Sequence, residues 1–304
     1  MSNISSHTLS DAQRRELKNN KIKRTVGNVF IYIGLGILCV FFLFPIWWMV
    51  VNSLKTHAQV YENISNLKTF LPATWNVTQW FRSYGMLFNT FDYFGQSIIN
   101  SIVYTGITIL GVLIINSIAG YALARIKFPG CNFLVNVILI ILMVPVETSI
   151  VPLYVILSKL GLLQTHTRVI GYLIPSFVSP YYIFMFRSFF MGIPKEIEEA
   201  ASIDGAGRFR IFFNLIFPVS LPVFATVGIF TFMGAWNDYV FAQLMFSNPA
   251  QQPLQVFLQL INNFNPKDIS LTMAALTFST IPIALVYIFC QRYIVEGVSF
   301  GGLK

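Results

Sequence analysis

The chain has 304 residues, 55% hydrophobic and only 11% charged, with a formal net charge of +8 at pH 7. Soluble domains carry about 25% charged residues, so this composition excludes a chain that hides its apolar surface in one soluble core; the surplus must face lipid. The basic excess does not point to nucleic acid, because the lysines and arginines sit between long apolar runs rather than on one face with interleaved aromatics.

In chain order, residues 1–28 are polar and basic and read as a tail, disordered or surface-lying, that helps fix orientation. Crossing the hydrocarbon core takes about 20 apolar residues. Six stretches meet that length, at 29–51, 98–124, 133–157, 168–191, 222–246 and 271–294. The first is long enough to stay as a span rather than act as a signal peptide. Residues 53–96, rich in aromatics and turn formers, predict a small structured cap or an interfacial helix. The third stretch contains Pro145, Glu147 and Pro152, and the fourth contains Pro175 and Pro180. Both are expected to be kinked or broken, because proline lacks the amide a helix interior needs. Pro282 lies in the sixth. Most of the 20 lysines and arginines fall in segments that share a side with the N-terminus. By the positive-inside rule both termini are then cytoplasmic. The expected fold class is all-α: a polytopic membrane protein of six transmembrane helices, with one membrane domain over 29–304.

Chemistry-bearing constellations are missing from the pattern. Cys39, Cys131 and Cys290 are far apart, and His7, His57 and His166 have no ligand spacing, so no metal site is expected. There is no phosphate-cradling glycine loop with a following lysine. The expectation is a chain with no catalytic residues and no cofactor of its own.

The loop 193–222 departs from the apolar pattern. It holds four of the chain's 12 acidic residues: Glu196, Glu198, Glu199 and Asp204. Pro194 suits a first helical position, the glutamates favour a helix N-terminus, and Asp204-Gly205 reads as a stop. Ala200 and Ala201 give the helix a low face that a partner can approach, with Glu199 beside it. From the residues alone this is either a docking element or a solvated connector.

Glu199-Ala200-Ala201, then Gly205, then Leu215-Ile216-Phe217-Pro218 resembles the cytoplasmic signature of bacterial ABC importer permeases. Asp204-Gly205-Ala206 matches in full, whereas Leu215 and Phe217 replace other apolar residues and Pro218 is kept. Ser53-Leu54-Lys55, Phe70-Leu71-Pro72 with Trp75 and Trp80, Pro145 through Pro152-Leu153-Tyr154, and Trp236-Asn237-Asp238-Tyr239 resemble the carbohydrate-uptake branch. The ending, Gln291 to Gly297 and Gly301-Gly302-Leu303-Lys304, looks like that branch's second permease subunit. The resemblance runs from about residue 26 and implies a type I importer transmembrane domain in a bacterial inner membrane. It implies that Glu199, Ala200, Ala201, Asp204, Gly205, Ala206 and Pro218 belong to a coupling loop, whose helix within 193–205 docks on a cytoplasmic ATPase dimer. It further implies a second permease, an external binding protein delivering a sugar or oligosaccharide, and ATP and magnesium bound by the partner ATPase.

Charges inside spans are costly and mark a path or a pairing. Glu147 and Asp238 fall in the outer half of the membrane and could line a substrate path with Trp236, Asn237 and Tyr239. Structural pairing between spans, or a place in an outer loop just beyond the membrane, is the plainer reading of them. The same machine with a non-sugar cargo stays open. A stand-alone secondary transporter predicts inverted repeats and ionisable residues at the midplane, and neither is evident.

Overall fold

A computed structural model of the chain describes residues 11–301 except 64, 74, 75, 265 and 266, with side chains described between 24 and 292. The first ten residues, Trp75 and 302–304 therefore lie outside the described residues, and the described residues contain no strand. Helix α1 covers Asp11–Ser53 and α2 covers Phe94–Arg125. The third apolar stretch divides into α3 (Cys131–Ile141) and, after the turn Val146–Ser149, α4 (Ile150–Lys159). Its two halves bend by 96°. The fourth divides into α5 (Arg168–Ser176) and α6 (Pro180–Met191), with the break just ahead of Pro180 as its missing amide requires. After α7 (Glu196–Ile203), the segment Arg208–Val219 meets α8 (Leu221–Trp236) at 79°. Helix α9 (Leu254–Asn262) precedes α10 (Ile269–Gly301), which carries Pro282 without a break. Among the described residues four helices are long and apolar enough to cross a membrane, and counting each of the two bent pairs as one span brings the number to six.

One boundary differs from expectation. The fifth span ends at Trp236, not near residue 246. Asn237 turns back to donate from its side chain to Met233 O (2.8 Å), and Asp238 Oδ1 accepts from Phe241 N (3.3 Å). These short polar side chains compete with helical backbone pairing and stop the helix. A separate short helix, Val240–Met245, follows.

Lipid tails are as apolar as leucine, so burial of apolar surface does little to bring spans together. Close packing and hydrogen bonds must do so. Helix α2 supplies both. It packs on α6, α8, α9 and α5. Gly120 lets α6 approach: a Cβ there would lie 2.7 Å from Phe186 Cβ and 3.0 Å from Arg187 N. Asn116, fully buried, donates to Phe177 O (2.8 Å) and accepts from Ser179 N (2.8 Å). It thereby satisfies the backbone freed where α5 breaks from α6. Nearer the other end of α2, Asn100 donates to Ala250 O (2.9 Å) and Gln252 O (3.1 Å), Tyr104 to Gln251 O (3.1 Å), and Ser101 Oγ accepts from Leu254 N (2.7 Å). This polar face of α2 holds the irregular chain ahead of α9.

Residues between α1 and α2 fold as short helices, His57–Asn63, Val77–Trp80 and Arg82–Thr90, with a 3₁₀ turn at Leu67–Phe70. The segment is therefore structured, as a run of short helices. Lys55 pins it to α1: the residue is 1% exposed and donates to Lys68 O (3.0 Å) and Thr69 O (2.9 Å). Burial pulls its pKa below the usual lysine value. Helix α1 packs mainly on α10 and this turn, leaving Phe30, Phe41 and Phe42 about 70% exposed, as lipid-facing surface is.

Candidate functional site

The loop after α6 begins with Ile193, buried against the inner core of Phe186, Phe190 and Phe212. Three glutamates occupy the first turn of α7, as the helix dipole favours. The helix ends in a Schellman motif: Gly205 N bonds Ser202 O (3.1 Å), Ala206 N bonds Ala201 O (3.0 Å), and Gly205 takes φ +79°. Ala201 and Ala206, at the two ends of that motif, both pack against the inner core.

Helical periodicity separates neighbours that the sequence reading groups together. Glu199 and Ala200 are exposed, whereas Ala201 is half-buried. The outer face also carries Ile203, 86% exposed, and Ile197, 43% exposed. Phe209, 76% exposed, follows just past the motif. An apolar patch of this kind on a polar loop marks a surface meant to be covered. Asp204 and Gly205 are exposed at the C-cap. Pro218 is exposed at the bend between Arg208–Val219 and α8, just past a π-helical stretch, Phe212–Ile216.

The residue that ties this loop down is one the sequence reading passed over. Glu198 Oε1 lies 2.6 Å from Arg125 Nε at the end of α2, with side chains 14% and 5% exposed. The approach lies off the N–H axis, so it is an ion pair rather than a linear hydrogen bond. Tyr121 donates to Glu198 Oε2 (2.9 Å), and Arg125 donates to Ile193 O (2.6 Å). The only available signal was an arginine and a tyrosine one helical turn apart at the end of an apolar run.

The second group of expected residues lies at the far end of α8. Trp236 is 3% exposed, stacked on Phe232, and donates to Ser279 O (3.2 Å), so it packs the core. Asp238, just past the end of the fifth span, accepts a hydrogen bond from Tyr172 of α5 (2.9 Å). Asn237 is exposed and accepts weakly from Gln255 (3.4 Å). Tyr239, 38% exposed, borders a cavity of about 370 Å³ between α9 and α10. Glu147 stands apart, exposed on the turn at the bend of the third span, its carboxylate without a hydrogen bond or ion pair among the described residues. No cluster of metal-ligand type occurs among the described residues.

Comparison with known proteins bears on both ends of the molecule. Residues 116–300 match the family described as binding-protein-dependent transport system inner membrane component. The chain is 31% identical to the inner membrane ABC transporter permease protein YcjP of Escherichia coli (strain K12), over 93% of this chain and 98% of that one. It is 30% identical to the arabinooligosaccharides transport system permease protein AraQ of Halalkalibacterium halodurans, over 90% and 95%. Its fold resembles a solved bacterial ABC transporter involved in import of the acidic polysaccharide alginate, with a TM-score of 0.76, 24% identity, and coverage of 89% and 97%.

Proposed function

The chain belongs to the binding-protein-dependent transport system inner membrane components, and on that premise we propose that it is one of two different permease subunits of an ATP-driven importer of a sugar or oligosaccharide. The observation that carries the proposal is the loop around α7: exposed Glu199, Ala200 and Ile203 on one face, anchored Glu198 and Ala201 on the other. A helix covered on its inner face and bare on its outer face suits a partner that pushes on it. That partner is a cytoplasmic ATPase dimer, which binds ATP and magnesium and performs the hydrolysis. The α7 end of the bundle then faces the cytoplasm, as do both termini. An external binding protein delivers the cargo to the opposite end.

The mechanism is a population shift between two arrangements of one interface. ATP closes the ATPase dimer, α7 travels with it, and Arg125 and Tyr121 pass the displacement to α2. The carbohydrate cargo is supported by relatives such as AraQ and by the branch motifs. Glu199→Arg should leave assembly intact and ATP hydrolysis running while uptake in proteoliposomes falls about tenfold or more, as expected when a rim contact of a docking surface turns repulsive. Unchanged uptake would remove Glu199 from the coupling role. Failure of the chain to co-purify with any ATPase would remove the importer reading.

A further inference from the structure

The cavity beside Tyr239 lies at the opposite end of the bundle from α7. Arg125 holds the α7 loop at one end of α2, while Asn100 and Tyr104 hold 250–252 toward the other. Residues 100 and 125 of one helix stand about 37 Å apart at 1.5 Å per residue. Gln255, Gln259 and Asn262 project toward the cavity from one face of α9, at the spacing of successive turns. Thr272 lies across from them on α10, and Leu258 and Leu276 supply an apolar floor. Among the described residues, the side-chain amides of Gln259 and Asn262 have no protein partner. Among the described residues, no charged side chain borders the space.

We infer that this cavity is a binding subsite for one ring of a neutral saccharide, entered from the end of the bundle opposite α7. The inference rests on the importer reading above and extends it to ligand class and residues. A pyranose or furanose ring has an apolar face and a rim of hydroxyls. The exposed ring of Tyr239 and the floor of Leu258 and Leu276 offer an apolar surface, and amides offer donors and acceptors together. A charged ligand finds no countercharge here, and leaving an ion desolvated without one is costly. Gln255 is partly committed, donating weakly to Asn237 (3.4 Å) and Ser279 (3.3 Å), so Gln259 and Asn262 are the amides free to meet hydroxyls.

The test is protection from a membrane-impermeant maleimide. Gln259→Cys and Asn262→Cys are built in a chain whose Cys39, Cys131 and Cys290 are serine. Each is assembled with its partner permease and ATPase in proteoliposomes and held with ATP and vanadate. Raffinose and arabinotriose are the probes; mannitol, which lacks a ring, and trigalacturonic acid, which is charged, are the controls. Leu260→Cys, on an exposed neighbouring position, reports general accessibility. One or both neutral sugars should slow labelling at 259 and 262 by about threefold or more when present in excess over their dissociation constants. The controls should not, and Tyr239→Ala should restore the rate. If the loaded binding protein stimulates ATP hydrolysis yet neither sugar protects, the subsite is overturned and the importer reading stands. Equal protection by mannitol or trigalacturonic acid also overturns the subsite. If neither sugar-loaded binding protein stimulates hydrolysis, the carbohydrate reading falls and the subsite with it.

Discussion

The carboxylate of Glu198 meets Arg125 and Tyr121 in a site where both ion-pair partners are nearly covered. Breaking such a pair from one side strands the other charge, a loss of about 3–5 kcal/mol when fully buried and less here, where water reaches the carboxylate. Glu198→Ala should therefore loosen α7 without unfolding the bundle. Uptake should collapse while basal ATP hydrolysis persists, and Glu198→Gln, which keeps the Tyr121 bond, should retain part of the coupling. Equal uptake by Glu198→Ala and wild type would show that the pair does not transmit. Asn116 makes a different kind of claim. Its amide serves two backbone groups at the break between α5 and α6. Asn116→Ala leaves both unsatisfied, at about 1–3 kcal/mol each. The melting temperature of the purified chain should fall by several degrees, and Asn116→Leu should fare no better. These two sites were hidden in the sequence for the same reason. Each is a polar residue whose partner lies about 60 or more positions away, and no local spacing reports such a pairing.

At the scale of elements, helix meets helix where side chains disappear. The α2–α6 crossing is close because Gly120 has no Cβ to collide with Phe186. Gly120→Ala should push the two helices apart at a cost of about 1–3 kcal/mol, the usual penalty for overpacking. Gly106→Ala, on the same helix with nothing within 4 Å, is the control and should be neutral or slightly stabilising. Thermal melts of the two variants in one detergent decide the matter: equal behaviour would show that the crossing is loose. Breaks were legible where proline announced them, at Pro145 and Pro180, because that residue cannot supply a helical amide. The stop after Trp236 was not, since Asn237 and Asp238 act through side-chain bonds to backbone that an apolar count ignores. Helix α9 was likewise invisible as a site-bearing element. It is too short to register as a span, and its amphipathic face matters only because α10 closes over it.

For the whole molecule, the six apolar stretches could be read from composition and length, and the loop proposed to dock on a partner from its motif. Burial and exposure along 196–206 could not, because a three-residue signature does not say which way each residue turns. The two ends of the molecule are joined by one uninterrupted helix. Helix α2 has 32 residues and no proline, so at 1.5 Å per residue it is a rod of about 48 Å. One end grips Glu198, and the other grips the chain leading into α9. A rod of that length pivoting by about 5° near one end carries its far end about 4 Å, close to the 5.4 Å pitch of a helix. The gearing is purely geometric: on the proposed mechanism, a 5° rotation imposed beside α7 becomes, about 37 Å away at Asn100, a shift of about 3 Å in the chain that leads into α9.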